Sequence, residues 1–452
     1  MLDRGRPGGA VAALRLSSAG RRRGNPLPPP RAAGREHTVT PSAPRRFRTD
    51  RNVRLLYTLG ALTQFQPGLA IWVVYLLDFR HLSLAQVGLM EAFFWGVKVL
   101  VEVPAGAVAD RFGRRAAFAL GLVIEASGVV LFAFASSYPL LLLSYVLWSG
   151  GFSFRSGNDH AYLYDALAAE ARTLEFTARA GVYQACTTLA FTASGIAGAW
   201  LAARTTLQLP FLLGAVPYSI ALGVLLLMRE PPRGVSALGR LGYRQTLGAA
   251  LHALRASRVV CYALLFEIAL TTALVPVILL QQPFLQRQGV PLALFGLLQA
   301  PASLAGVAGA VLSARVARAA GTLPLALGTL ATTAGGLALL AAVDHPAAFA
   351  GFVAIHAALG LATPALAAYV NDRTDSAIRA TIMSVVPLGT AITFAITGPF
   401  AGVAGDASLR LAFAGMAAVI ALTAGACYAL WLRADAERAS GPLARGAGEG
   451  WG

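Results

Sequence analysis

The sequence has few charged residues for its length. Of its 452 residues, 13% are charged and 56% are apolar, whereas soluble proteins contain about 25% charged and about 45–50% apolar residues. The mean hydropathy is +0.63. This balance excludes an ordinary soluble enzyme and a disordered chain, because both need far more polar residues.

Cysteine is also scarce. Cys186, Cys261 and Cys427 each lie inside an apolar run, which excludes a disulfide scaffold or a thiolate metal site, and we expect buried, inert thiols. The chain has no H-E-x-x-H motif, no Walker-type glycine-rich loop and no Cys/His cluster. We therefore expect no metal, no cofactor and no enzymatic activity.

Lysine is almost absent, because Lys98 is the only one, so arginine carries the net charge of +16. Whether this charge indicates nucleic-acid binding depends on where the arginines lie. Residues 1–53 hold 12 arginines against three acidic residues and show no apolar periodicity. We predict a disordered cytoplasmic tail that touches lipid rather than nucleic acid, and no cleavage, because a secretory signal needs an apolar core.

From residue 54 onward, apolar stretches of about 20 residues follow one another, the length that crosses a bilayer as helix. The predicted fold class is an all-α integral membrane protein with twelve transmembrane helices. The predicted spans are 55–77, 84–108, 116–136, 139–166, 180–203, 208–228, 259–283, 291–316, 322–343, 347–370, 381–404 and 409–432.

The arginines are distributed very unevenly between the two sides of these spans. If the N-terminus is cytoplasmic, 31 of the 37 Lys and Arg residues lie in inner segments and four lie in outer loops. By the positive-inside rule both termini are cytoplasmic. The basic charge is therefore mostly a topology signal, and we expect a monomer in the inner (plasma) membrane with no nucleic-acid partner.

The chain divides into two similar halves, 54–228 and 259–432, joined by a cytoplasmic linker over 229–258 and followed by a tail over 433–452. Short matches recur in order at offsets of 203 to 207 residues. The G-A-V at Gly106 recurs at Gly309, Gly195 matches Gly398, and A-Y-x-x-D ends spans 4 and 10. Three matches at equivalent depths indicate duplicated six-helix bundles.

The loop between spans 2 and 3 has a distinctive sequence, G-A-V-A-D-R-F-G-R-R over residues 106–115. Gly113 tolerates the positive φ that a tight helix–helix turn needs, and Gly106 would let helix backbones approach closely. Asp110 can interact with a helix N-terminus. Basic side chains here anchor the inner face; they are Arg111, Arg114 and Arg115.

This loop resembles the signature loop of the major facilitator superfamily, and the resemblance covers residues 54–432. E-V-P-A-G over 102–106 and R-A-T-I-M-S from Arg379 onward also resemble segments of bacterial members. The resemblance implies two pseudo-symmetric six-helix bundles and transport by alternating access around a central cavity. Antiporters of the family often have a glycine- and proline-rich span 5; here Gly195 and Gly198 remain and the proline is missing.

The resemblance also implies a gate. In the family, the loop aspartate, an arginine four residues on and an acidic residue ending span 4 form a charge cluster that holds one gate state. The matching residues are Asp110, Arg114 and Asp165. In the second half Ser313 replaces the aspartate, and only arginines remain to meet Asp372, so a symmetric second cluster is not implied.

Ionisable residues inside the spans are the candidates for substrate or proton chemistry, because each costs roughly 2.5–3.5 kcal/mol near the bilayer midplane. Glu125 and Glu267 lie near mid-depth, each either a proton carrier or a carboxyl hydrogen-bonded between helices. Arg155 and Asp159 are four residues apart, so we expect them on one helical face, neutralising each other and lining the cavity.

Span 2 has a polar stripe formed by Glu91, Lys98 and Glu102, spaced by seven and four residues. We expect Lys98 to pair with Glu102, either at a substrate or proton site or as an internal salt bridge. Four uncharged polar residues near mid-depth are interhelical hydrogen-bond partners or substrate ligands; they are Gln64, Gln66, Gln299 and His356.

The expected function is transport of a small organic solute by alternating access, driven by the proton gradient and directed outward, as in drug or metabolite efflux. Two alternatives stay open, a proton-coupled uptake symporter and a membrane sensor of the same fold that does not transport. The substrate is not readable from the sequence.

Overall fold

The computed structural model describes residues 48–231, 248, 254–255, 257–375 and 378–440. Within these ranges the regular structure is entirely helical. Most of the predicted tail and linker lie outside the described residues. The first helix begins at Thr49 and the last continues to Ser440, so both run past the predicted ends of the helical body at 54 and 432.

The prediction of a twelve-span helical membrane fold is confirmed. Eleven helical segments of the described chain are long and apolar enough to cross a membrane, and the predicted fourth span is a divided helix. In chain order the crossings are α1 (Thr49–Phe79), α2 (Leu84–Phe112), α3 (Arg114–Phe134), α4 (Tyr138–Arg155 and Asn158–Ala168), α5 (Thr173–Arg204), α6 (Leu209–Leu227), α7 (Arg258–Arg287), α8 (Leu292–Ala320), α9 (Thr322–Ala342), α10 (Pro346–Asn371), α11 (Thr381–Ala407) and α12 (Leu409–Arg438).

Twelve crossings return the chain to the side on which it started. We call the side of Thr49 and Arg438 the terminal face and the opposite side the far face. We call α1–α6 the first half and α7–α12 the second half.

Of the crossings that are interrupted, two break at a proline or a glycine, which disfavour helix. In α1 the helix ends at Gln64 and a 3₁₀ turn follows over Pro67–Ile71, because Pro67 has no N–H to donate. In α4 the helix ends at Arg155 and restarts at Asn158, and Gly157 between them has a φ of +75°. Glycine accepts this left-handed conformation without strain.

The two halves contact each other on the far-face side. The N-terminus of α2 begins with a capping box between Ser83 and Gln86. The carboxylate of Asp406, at the end of α11, adds hydrogen bonds from the backbone N–H groups of Leu84 (2.7 Å) and Ala85 (2.9 Å). Negative charge at a helix N-terminus is stabilising. Asp406 therefore ties the second half to the first at the far face.

Close backbone packing occurs in the same region. A Cβ on Gly402 in α11 would collide with the backbone of Leu84 in α2, and one on Gly296 in α8 would collide with the backbone of Gly195 in α5. Only glycine allows helices to approach this closely. Among the described residues, all hydrogen bonds between the halves lie on the far-face side. The described body is thus closed at the far face.

Ion pairs also join neighbouring segments within each half, at the far face in the second half and at the terminal face in the first half. At the far face, Asp344 accepts a hydrogen bond from Gln288 and pairs with Arg287 and Arg410. The Gln288 bond and the two arginines hold the pKa of Asp344 below its usual value. At the terminal face, Arg172 pairs with Asp50 and joins the α4–α5 loop to α1.

We predict that Gly402→Val opens the far face, because its side chain has no room against the Leu84 backbone. The measurement is the distance between spin labels at Thr205 and Gly289, in far-face loops of opposite halves, with the native cysteines replaced. The distance should lengthen. Gly223→Val in α6 is the control, since a Cβ at Gly223 meets nothing within 4 Å. Equal distances in the two variants would show that this contact does not close the face.

Candidate functional site

A cavity of about 350 Å³ lies between the two halves, near the middle of the helices. Its walls come from α1, α2, α4 and α5 of the first half and from α7, α8 and α10 of the second. This volume is at the lower end of the range for small-molecule sites, which usually lie between domains or helices. The cavity is therefore the candidate site for a solute.

Aromatic side chains form most of the first-half wall. Tyr145, Trp148 and Phe152 are spaced by three and four residues and share one face of α4. Phe94 of α2 contacts Tyr145 (6.2 Å between ring centroids) and Phe152 (6.1 Å). The other aromatic lining residues are Trp72, Trp95 and Phe191.

One carboxyl group faces this aromatic wall. Glu91 of α2 accepts a hydrogen bond from the indole N–H of Trp95 (3.2 Å), one turn along the same helix. Tyr145 of α4 lines the same cavity. The described lining includes no lysine and no arginine. Glu91 thus gives the cavity its one acidic group.

Glutamines of the second half bind the interrupted backbone of α1. Gln282 of α7 accepts from the N–H of Val73 and donates to the carbonyl of Leu69, both at 2.8 Å. Gln299 of α8 donates to the carbonyl of Ala70 at 3.0 Å. Backbone groups without helical partners must be satisfied inside a membrane protein. These glutamines do so while lining the cavity.

Two further side chains present hydrogen-bond acceptors in this region. The Oε1 atom of Gln66 is buried and has no hydrogen-bond partner among the described residues, while its Nε2 donates to the Thr63 carbonyl. His356 of α10 places Nδ1 2.9 Å from the Phe352 carbonyl. Nδ1 must carry a proton to donate to that carbonyl, which leaves Nε2 for the cavity.

The cavity contains five of the residues singled out in the sequence, namely Gln64, Gln66, Glu91, Gln299 and His356. Its aromatic wall and the Gln281–Gln282 pair were missed. Three consecutive aromatic residues, 93–95, and a pair of adjacent glutamines in an otherwise apolar span were the available signals.

Lys98 and Glu102 form the pair that their spacing predicts. The Lys98 Nζ lies 3.1 Å from the Glu102 carboxylate, with Lys98 buried and Glu102 partly exposed. Neither lines the cavity. The stripe on α2 is therefore divided, with Glu91 at the cavity and the ion pair nearer the terminal face.

The predicted pairing of Arg155 with Asp159 is wrong. The break at Gly157 removes the helical register that would place them on one face. Arg155 instead makes two bonds of 3.2 Å to Glu125 of α3. Asp159 accepts from the hydroxyl of Tyr183 of α5 at 2.7 Å. Neither Arg155 nor Asp159 lines the cavity.

The two mid-depth carboxyls have different surroundings. Glu125 is fully buried and also accepts from the Tyr218 hydroxyl (2.9 Å), so its charge is matched by Arg155. Glu267 on α7 is 5% exposed, and no hydrogen bond reaches it from the residues that the structure describes. Glu267 does not line the cavity.

Only part of the charge cluster expected at the signature loop is formed. Arg114 pairs with Asp165 (3.3 Å) and contacts Asn158, but Asp110 is exposed and has no hydrogen bond or ion pair within the described chain. Arg111 lies over the Phe112 ring at 5.3 Å.

Gly106, Gly113 and the N-terminus of α3 play different structural roles in this loop. Gly113 has a φ of +105°, as its turn position predicts. The expectation for Gly106 is wrong, because a Cβ there would meet nothing within 4 Å. Glu230 caps the N-terminus of α3 through the N–H groups of Arg114 (2.6 Å) and Arg115 (3.0 Å). Sequence reasoning placed Glu230 in the linker and missed this bond.

The second half has a different arrangement at its terminal face. Asp372 is exposed and has no ion pair within the described ranges, and Arg379 bonds the Thr374 carbonyl (3.2 Å). Asp435 of α12 accepts from the Tyr369 hydroxyl, and the Arg373 guanidinium lies 3.5 Å from the Tyr369 ring centroid. The three cysteines are free and partly exposed rather than buried.

Comparisons with known proteins bear on this arrangement. A family model described as Major Facilitator Superfamily matches residues 55–356. The chain is 28% identical over 111 residues to an uncharacterised MFS-type transporter, YxaM, of Bacillus subtilis (strain 168). The matched stretch covers 24% of this chain and 28% of that relative, so the chain matches little more than a quarter of the relative's length.

Solved structures share the fold at low identity. A variant of the nucleoside transporter NupG superimposes with a TM-score of 0.69 at 16% identity, covering 85% of this chain and 99% of that one. A bacterial homologue of the lysosomal transporter Spinster, inward-facing and unoccupied, gives 0.67 at 19% identity, with 87% and 99% covered. A D-xylose–proton symporter gives 0.66 at 16%, with 82% and 96% covered.

We predict that Glu125→Leu destabilises the protein by about 3–5 kcal/mol, because it leaves the Arg155 charge buried and unpaired. Thermal unfolding of the purified protein in detergent measures the loss. Adding Arg155→Met to Glu125→Leu should recover most of the stability, since the pair is then replaced by apolar groups. A single variant as stable as the double variant would contradict the buried pair.

Proposed function

Because this chain belongs to the Major Facilitator Superfamily, we propose that it moves a small organic solute across the membrane through the cavity between its halves. Membership makes it a multi-pass membrane transporter. The cavity carries the proposal, because it is built from both halves and its polar groups are few and convergent. Alternating exposure of such a site is the mechanism of transporters built from repeated bundles.

We assign the terminal face to the cytoplasm, because most of the arginines lie on that side. The far face is closed by Asp406, by the glycine contacts and by Gln282. No hydrogen bond within the described ranges joins the halves on the terminal-face side. The conformation is therefore interpreted as inward-facing, in a cell membrane with both termini inside.

We propose that transport is coupled to protons and that Glu267, rather than Glu125, carries the proton. Glu125 is held by Arg155 and Tyr218 in a fixed ion pair. Glu267 has no such partner among the described residues and can exchange a proton without breaking one. Export is the preferred direction, and uptake by symport is the second candidate, supported by the fold shared with a D-xylose–proton symporter.

We predict that Glu267→Gln abolishes accumulation driven by a pH gradient in proteoliposomes but leaves solute exchange across the membrane intact, because only the proton step is lost. Labelled uridine, D-xylose and benzyltrimethylammonium serve as probe solutes. Asp344→Asn, which changes a carboxyl in a far-face loop, is the control and should accumulate solute normally. Normal accumulation by Glu267→Gln would assign the proton to another group.

The alternative of a sensor without transport makes a different prediction for the N-terminal tail. Deleting residues 1–47 removes the arginine-rich segment and leaves α1 intact. A transporter should keep its flux in proteoliposomes after this deletion, because the cavity is unchanged. Full-length protein without flux for any solute of a broad panel, together with loss of a cellular response on deletion, would favour the sensor.

A further inference from the structure

The charged side chains at the cavity surface are of one sign. Glu91 is the carboxyl at its surface, and no arginine or lysine is among the described lining residues. The basic side chains of the neighbouring crossings are engaged elsewhere, Lys98 with Glu102 and Arg155 with Glu125. A carboxylate without a basic partner is costly in a membrane interior. A positively charged solute would remove that cost.

The polar atoms of the cavity are biased toward acceptors. The Gln66 Oε1 atom has no partner among the described residues, and the Nδ1 bond of His356 leaves its Nε2 available. Together with the Glu91 carboxyl, these groups call for a ligand that donates hydrogen bonds. An anionic solute would bring further acceptors and would be repelled by Glu91.

The aromatic wall fits the same chemistry. Trp95 donates to Glu91 and so holds the carboxyl beside an indole ring. Trp148 and Phe152 continue the ring surface on α4. Cations are attracted to aromatic faces, most strongly to tryptophan and when water is excluded. An apolar or aromatic body would pack against the same rings.

We propose that the substrate class of this cavity is organic cations, such as a protonated amine on an aromatic body, and that Glu91 is their counter-charge. This assignment rests on the proposed transport function. Gln282 and Gln299 are committed to the backbone of α1. Glu91 therefore determines which charge the cavity accepts, and the rings supply most of the contact area.

The test compares cations and anions on similar apolar bodies. Benzylammonium, which can donate hydrogen bonds, is compared with phenylacetate, and tetraphenylphosphonium is compared with tetraphenylborate to test charge alone, by calorimetric titration of the full-length protein in detergent. We expect each cation to bind more tightly than its anion. Glu91→Gln should weaken cation binding by about tenfold or more, as loss of a buried charge partner does. Equal binding of the paired ions, or unchanged cation affinity in Glu91→Gln, would overturn the assignment.

A second variant covers the case in which Glu91→Gln folds poorly. Gln281→Glu adds a carboxyl to the cavity from α7, at a residue that the backbone bonds of α1 do not use. It should raise cation affinity in the wild-type background and restore it beside Glu91→Gln. Cation affinity unchanged by Gln281→Glu would count against charge selection in this cavity.

Uncharged probes separate this proposal from the transport function. Uridine and D-xylose are titrated and assayed for flux in the same preparations. Binding and flux of an uncharged probe without cation preference would overturn the cation assignment and leave the transport function in place. Cation binding that is lost in Glu91→Gln, with flux of the same cation in the wild type, supports both.

Discussion

The structure depends on one constraint, that every backbone polar group inside the membrane needs a partner within the protein. In the middle of α1, the 3₁₀ turn over Pro67–Ile71 interrupts the α-helix, so backbone groups there lack their helical hydrogen-bond partners. Gln282 and Gln299 of the second half, and Ser194 of α5, which bonds the Gln66 N–H, meet the need instead. The break in α1 therefore lines the cavity and joins the two halves. Any movement of one half against the other at this point must exchange the bonds of Gln282 and Gln299.

The same need for a partner within the protein applies to the charged side chains. Arg155, Lys98 and Arg114 each lie within reach of a carboxylate from α3, α2 or α4, so their charges are compensated locally. Glu91 and Glu267 are acidic groups well inside the crossings that form no ion pair with the described residues. Since uncompensated groups are the costly ones, they are where the structure leaves room for a solute or a proton. The Arg155–Glu125 and Arg114–Asp165 pairs instead hold helices together.

Much of the fold could be predicted from the sequence, because hydropathy indicates where helices cross. The cytoplasmic side assigned from arginine placement stays a prediction. Polarity inside the spans also singled out Glu91, Gln66 and His356, which line the cavity, but it left open whether they bind a solute or only join helices. Pairings between helices could not be predicted. Periodicity states which face of a helix is polar but not which neighbour it meets, so Arg155 was matched with Asp159 rather than with Glu125, 30 residues away. Gly106 was misread for the same reason, since close packing needs a neighbouring helix and no described atom lies within 4 Å of a Cβ placed there.

The two halves differ at the terminal face, and this difference bears on the gate that the family resemblance implies. In the second half, Ser313 is buried and donates to the Leu361 carbonyl, so the position equivalent to Asp110 is fixed within α8 and α10. In the first half Asp110 is exposed, while its expected partner Arg114 is already paired with Asp165. A charge cluster that holds a closed terminal face has to be incomplete when that face is open. Asp110 at the terminal face has no ion pair within the described residues, and the far face at the other end of α2 is closed by Asp406. This arrangement agrees with the inward-facing state that we propose, in which the loop between α2 and α3 is the movable part of the gate.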